Sequence, residues 1–437
     1  MYDWRKPVDS LWESERGQFE ATPSPPLCRD VSVDVAIIGA GYCGLSAAYH
    51  LARRGVDVGV LEAGDIGWGA SGRNAGFCSI GASFLGPEAL KNIFGRSETQ
   101  VFYRELIDAV HLVDQLATEE NIDLKKQGRG VWTFAHKANR LRELRIQAEL
   151  LNRLGATARL VTRENFAGDA FQCTEQYGAL HESVGFGLHP LAYCLGLASA
   201  AIRRGAQLHS QSRVIGWYRE GSKHRLTTNS GTLRARHVIV ATNGWLPEAL
   251  VPELAGRLIP IMSNITTTAP LSPSLLEAQG WQTQSPASNT RAHLSYLRML
   301  PGNRLLFGGR GDTTGTPRGL AAMRRLLEAR RARLLPALEN AETSHSWRGF
   351  ISATRRLTPA VGVLTADPSI SYAFGCHGNG VAFMTWAGRA LARFVLGQKQ
   401  VLPAVVTGLP DRFPAPALRL WALRAMLART WLEDTMT

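Results

Sequence analysis

Three glycines spaced Gly39-x-Gly41-x-x-Gly44, followed 18 residues beyond the last of them by Glu62, are residue types suited to holding a dinucleotide. The first glycine permits a tight turn, the second lets the backbone approach a pyrophosphate, and the third lets a helix pack closely on a strand. A carboxylate at Glu62 accepts hydrogen bonds from a ribose diol and repels a 2′-phosphate, which favours an unphosphorylated adenosine. The stretch Ala63 to Phe77 is rich in glycine and small residues and includes Ser71, Gly72, Arg73, Asn74, Ala75 and Gly76. Such a backbone can approach a flat ligand and offer it N–H donors. Far downstream, Gly375-Cys376-His377-Gly378-Asn379-Gly380-Val381 places glycine N–H groups before a helix, where they stabilise negative charge arriving on a ligand. From these residues alone both FAD and NAD remain open.

The elements that must position these residues are written around them. Val33 to Ile38 is a β-branched apolar run of the kind buried on both faces of a parallel sheet. Leu45 to Arg54 has helical spacing and a basic end before Gly55, and Val56 to Leu61 is a second strand ending at Glu62. Val238 to Val240 is another buried strand that runs into a turn through Ala241 and Thr242. A helix is expected from about Val381 to Leu396. His189, which precedes a proline and an alanine-rich helix, reads as a structural histidine rather than a base. Ile259 to Ala269 and Leu294 to Gly308 alternate as antiparallel strands do, with a turn at Gly302-Asn303, and Leu320 to Leu335 reads as a basic amphipathic helix.

The run Ser71-Gly72-Arg73-Asn74-Ala75-Gly76, with the glycine turn, the Gly187-Leu188-His189-Pro190 stretch and the C-terminal glycine motif, resembles the amine-oxidising flavoenzymes of the D-amino-acid oxidase superfamily. Within it the chain looks most like the gamma-glutamylputrescine oxidase group. The resemblance implies an α/β fold with a Rossmann-like FAD-binding domain and a second, substrate domain built on an antiparallel sheet. It assigns 31–97, 175–256 and 346–400 to the first domain, 98–174 and 257–345 to the second, and 401–437 to a C-terminal amphipathic helix. Cofactor contacts follow for Ser71 to Gly76, for Val214 at the adenine, for Ala241 and Thr242, and for Gly378, Asn379, Gly380 and Val381. The family pattern Ser-Gly-His-Gly is replaced here by His377-Gly378-Asn379-Gly380, so a side-chain role for the family histidine does not carry over. Relatives with covalent flavin use a cysteine near the segment Ile351 to Thr354, which has none here, so noncovalent FAD is expected. The implied reaction is oxidation of an amine or amino-acid C–N bond to an imine, with hydride passing to flavin N5 and dioxygen reoxidising the flavin to give peroxide. Tyr296 and Arg298, on one face of a strand, are the candidates for positioning the substrate, Arg298 as a fork for a carboxylate.

Composition narrows the remaining classes. The chain has 437 residues, 45% of them hydrophobic, so it can build more than one core, and it has no repeat or low-complexity block. A net charge of +13 suits an anionic partner without choosing one. Nucleic acid is not expected, because the arginines of Arg318 to Arg333 lack interleaved base-stacking aromatics. Six scattered cysteines without C-x-x-C spacing argue against a metal site or a disulfide framework, and the absence of a signal-like segment suggests a cytoplasmic protein. Two alternatives stand beside the oxidase. One is a membrane-associated dehydrogenase passing electrons to a quinone or carrier, motivated by the helix within Pro414 to Asp434, a peripheral membrane contact. The other is a flavin-binding RNA-modification or regulatory protein.

Overall fold

The computed structural model describes residues 8–19 and 23–435, with side chains as far as residue 429. Its first layer is a sheet whose main path runs Ala360–Val363, Ile370–Phe374, Thr232–Val240, Asp30–Ile38, Val58–Leu61, Gln207–His209. From Ile370–Phe374 to Gln207–His209 every pairing is parallel. Asp30–Ile38 lies in the middle, and Val35, Ala36 and Ile37 are fully buried, as a β-branched run with a covering layer on each face should be. The helices Tyr42–Ala52, Pro190–Arg203 and Gly380–Val395 pack together beside this sheet through alanine, glycine and leucine faces.

The second layer is a sheet ordered Thr343–Thr354, Leu258–Thr268, Arg304–Arg310, Ser295–Leu300, Ala287–Asn289, Val131–Phe134, Ala179–Glu182, Ala158–Val161. It is antiparallel except where Ala287–Asn289 runs parallel to Val131–Phe134. One face buries Trp132, Phe134, Leu305 and Phe307 against Phe166, Phe171 and the helix Pro317–Leu334, which turns Leu327 and Leu334 inward. Strand alternation then sends Val131, Thr133, Tyr296 and Gly308 to the opposite face. The Gly302-Asn303 turn uses positive φ at both residues, 71° and 56°, which Gly and Asn tolerate best.

Three boundaries differ from the sequence expectation. Thr343–Thr354 is one long strand of the second sheet, so 346–354 belongs there and not with 346–400. Ala179–Glu182, expected within 175–256 of the first domain, pairs with Val131–Phe134 in the second sheet. Arg96–Glu119, expected mostly in the second domain, lays Phe102, Leu106, Ala109, Val113 and Leu116 against the helix Gly380–Val395 and joins the first core. In each case partners distant in sequence, not local pattern, decide membership. Three arginines of Pro317–Leu334 are engaged within the protein: Arg331 is buried and donates to the Ala341 carbonyl, while Arg324 and Arg333 pair with Glu328 and Glu175.

The C-terminal helix occupies Arg419–Thr435 instead of all of 401–437, which begins as irregular chain bridging Thr407 to Val361. It rests Leu423 and Leu427 on Ile261, Ala353, Phe84 and Ile351, while Leu420, Trp421 and Met426 face outward. Among the described residues no helix is long and apolar enough to cross a membrane.

Candidate functional site

The parallel strands bring their carboxyl ends to one edge, and the chemistry-bearing segments leave from there: Gly39 after Ile38, Glu62 after Leu61, Ala241 after Val240 and Gly375 after Phe374. Ligands of open α/β sheets bind at this edge. A cavity of about 1770 Å³ opens there and continues under the inner face of the antiparallel sheet. That exceeds the roughly 300–1,000 Å³ of a pocket for one small ligand and leaves room for a dinucleotide and a second molecule.

The glycine turn is shaped by close approach. A Cβ on Gly44 would lie 1.9 Å from the Gly39 carbonyl oxygen, and one on Gly39, whose φ is 103°, would lie 2.9 Å from the Ala241 oxygen. Gly41 is different: its nearest neighbour is the Ser71 hydroxyl at 2.8 Å, so it borders the cavity more than the fold. Ser71 Oγ accepts from the Tyr42 N–H, and Glu62 accepts from the N–H groups of Ala40 and Gly64. Burial raises the Glu62 carboxyl, and those backbone donors oppose the rise.

Asn74 faces its own loop. Its amide donates to the Tyr42 hydroxyl and to the Ala70 and Ser71 carbonyls, and its oxygen accepts from the Gly76 N–H. Arg73 is buried, stacks 4.2 Å from the Trp68 ring centre and donates through Nε to the Trp68 carbonyl. Arg73, Asn74 and Ala75 line the cavity, whereas Gly72 and Gly76 lie behind the wall, where a Cβ would strike the Gly67 and Leu188 carbonyl oxygens. Val214, Ala241 and Thr242 line the cavity. The buried Thr242 hydroxyl has no hydrogen-bond partner among the described residues.

Gly378, Asn379, Gly380 and Val381 form the opposite wall at the start of Gly380–Val395, whose N-terminus has no side-chain cap. Asn379 instead ties to the Ser79 hydroxyl and the Ile80 carbonyl. His377, at φ 52°, is spent on structure: Nε2 accepts from the Thr354 N–H, which leaves Nδ1–H to donate to the Ala82 carbonyl. Burial pushes this imidazole down to about 4, so it is neutral near pH 7 with both nitrogens engaged. Cys376 is likewise a buried thiol whose pKa burial raises, and Asn243 donates to its sulfur.

Two helix N-termini whose own cap residues make no side-chain hydrogen bond, glycine backbone at close approach and an orphaned hydroxyl in one cavity fit an anionic dinucleotide with a flat ring system.

On the sheet side, Tyr296 lies across Gly308, where a Cβ would come within 2.1 Å of its ring, and its hydroxyl shares a 2.8 Å hydrogen bond with Ser263. Arg298 does not reach the cavity. It is 1% exposed, donates to the Leu188 carbonyl at 2.7 Å, and lies against Gly76 and Gly187 with its guanidinium 5.7 Å from the Trp12 ring centre. The expected same-face relation with Tyr296 holds along the strand. Two residues farther on, however, that face runs beneath the short pair Phe77–Ser79 and Gly185–Gly187, which closes it off.

On the antiparallel-sheet side the cavity is lined instead by Arg310, absent from the sequence expectation, with its guanidinium 4.4 Å from the Phe84 ring centre and its pKa pushed down to about 10 by burial. Alternation from Gly308 could have found it, once the pairing of Gly308 with Tyr296 was known. Glu182 also lines the cavity, and nothing local distinguishes it from a solvated acid. His189 caps the helix Pro190–Arg203 by accepting from the Ala192 N–H and contacts Glu15.

The family model described as FAD dependent oxidoreductase, DAO, matches residues 34–394. Over 389 residues the chain is 31% identical to a protein named Probable oxidoreductase OrdL of Haemophilus influenzae, with 86% of each covered. Over 397 residues it is 29% identical to the Gamma-glutamylputrescine oxidoreductase of Escherichia coli K12, with 91% of each covered. The crystal structure of glycine oxidase from Geobacillus kaustophilus superposes with a TM-score of 0.70 at 23% identity, covering 85% of this chain and 96% of that one, a likeness of fold.

Proposed function

The chain belongs to the DAO family of FAD dependent oxidoreductases, and from that premise we propose that it oxidises the C–N bond of an amine or amino acid to an imine. The observation that carries this reading is one cavity joining the glycine edge of the parallel sheet to the Tyr296 and Arg310 face of the antiparallel sheet. FAD held noncovalently there would supply the hydride acceptor, with dioxygen as the final oxidant and peroxide as its product.

The side chains supply position and electrostatics. Gly39, Gly41, Ser71 and the start of Tyr42–Ala52 hold the pyrophosphate, and Glu62 takes the ribose diol. Gly378, Gly380 and the start of Gly380–Val395 would hold the flat ring system, their N–H groups facing a place where negative charge would be stabilised. Tyr296 and Arg310 orient the substrate, Arg310 by its charge wherever a carboxylate accompanies the amine. Both His377 nitrogens are occupied, so that residue offers no base, in keeping with direct hydride loss from a neutral amine.

Oxygen consumption with a panel of amines, measured together with peroxide and the aldehyde or keto product, tests this. Equal yields of product and peroxide are expected. Turnover with a quinone-like dye and none with air would favour the second reading, a dehydrogenase docked on a membrane. That reading has a specific observation behind it: Leu420, Trp421 and Met426 face outward on a helix that packs on the cavity-lining Phe84 and Ile351.

A further inference from the structure

The cavity has an arm that the dinucleotide and the reacting amine do not require. It runs along the inner face of the antiparallel sheet, past Val131 and Thr133, to Glu182. Thr133, Ser288 and Tyr296 are successive cross-strand neighbours, and Glu182 pairs with Val131 one strand beyond. Three strand spacings of about 4.8 Å put the strands of Tyr296 and Glu182 about 14 Å apart. An extended chain covers about 3.5 Å in three bonds, so this separation matches a ligand of on the order of ten bonds.

The far end is walled for one kind of group. Glu182 is 3% exposed, Gln147 Nε2 donates to its Oε1 at 2.5 Å, and among the described residues no cation offsets its burial. The charges that line the cavity from the helix Leu141–Arg153 and just before it, Glu143 and Arg140, are paired with each other at 2.7 Å. Val131, Leu144 and the buried Tyr103 complete the walls. A carboxyl placed there is expensive to ionise alone, and burial pushes it up to about 7. A cation beside it removes that penalty by charge and by hydrogen bonding.

We propose that the arm ending at Glu182 and Gln147 is a subsite for an ammonium group at the far end of the substrate, so that the substrate class is an elongated amine carrying a second, non-reacting cation. This rests on the amine-oxidising reading and deepens it. Linear polyamines and γ-glutamyl amides of diamines both present such a group. The second kind carries a carboxylate as well, which distinguishes the two.

The test is anaerobic reduction of the flavin in the intact holoenzyme, giving an apparent Kd and a limiting rate for each probe. The probes are a linear diamine, the ω-amino alcohol of equal length, and the γ-glutamyl amide of a diamine. In the wild type the amino alcohol should bind at least about 10-fold more weakly than the diamine, the value of one charge-assisted hydrogen bond. In Glu182→Gln, which keeps shape and the Gln147 contact, that ratio should collapse toward one, with the change in Kd and not in limiting rate. Tighter binding of the glutamyl amide than of the diamine assigns the natural ligand to the zwitterionic class, and the reverse assigns it to the polyamines. Equal binding of diamine and amino alcohol by the wild type, which needs no variant, overturns the subsite while leaving amine oxidation standing. Failure of every amine to reduce a flavin that dithionite does reduce overturns both.

Discussion

At the scale of single residues, the glycine turn separates two roles that a motif merges. A methyl on Gly44 meets backbone at 1.9 Å, whereas a methyl on Gly41 meets only the end of the Ser71 side chain. Gly44→Ala should therefore fail to give folded protein, while Gly41→Ala should fold, with a native circular dichroism spectrum, and lose at least about 10-fold in FAD affinity, measured by fluorescence of released flavin. Arg310→Leu should weaken carboxylate-bearing substrates by about 10–150-fold, the worth of a hydrogen bond to a charged group. Arg298→Leu should act on stability instead, since that guanidinium lies in a closed pocket beneath Gly76. A KM series over substrates with and without a carboxylate distinguishes the two arginines. The sequence made the glycine turn legible because its three glycines and their flanking strands are local. Arg310 was not legible, because choosing it over Arg298 requires knowing that Phe77–Ser79 and Gly185–Gly187 cover one row of the sheet and leave the next open.

At the scale of elements, His377 links the long strand Thr343–Thr354 to the loop before the helix Pro87–Phe94, through the Thr354 N–H and the Ala82 carbonyl. Its folded-state pKa, about 4, is depressed below the ordinary 6.5, so the unfolded chain binds more protons between these values. The stability it contributes is complete above pH 6.5 and is lost as pH falls toward 4, by no more than about 3 kcal/mol over that window. His377→Asn, which tolerates the positive φ, should lower stability by about 1–3 kcal/mol at pH 7 by orphaning the Thr354 N–H. It should also flatten the acid limb of a denaturant series run from pH 7 to 4.5. The first strands, the helix Pro317–Leu334 and the hairpin through Asn303 were readable from periodicity and turn residues. The membership of Arg96–Glu119 was not, because its apolar stripe suits either core and only the facing helix Gly380–Val395 decides.

At the scale of the whole molecule, two sheets from interleaved segments enclose one cavity, and the cost of its polar lining appears in stability. Burial raises Glu182 from 4.5 to about 7, so the folded state binds more protons than the unfolded chain in that range. Stability should therefore decline as pH rises from 4.5 to 7, by at most about 1.4 kcal/mol per pH unit. Glu182→Gln should remove that decline in thermal melts of the substrate-free protein. Charge composition pointed to an anionic partner in general terms, yet in the structure many arginines are consumed by internal pairs such as Arg348 with Asp312 and Arg419 with Glu248. The whole-chain charge of +13 thus says little about any one surface. The central claim, that this cavity lets an amine reduce a bound flavin, is tested most directly by the visible spectrum of the purified holoenzyme under anaerobic conditions as amines and amino acids are added. The account predicts bleaching of the flavin bands by amines with a distal ammonium group and return of the colour when air is admitted. A spectrum that dithionite bleaches and no amine or amino acid changes would contradict it.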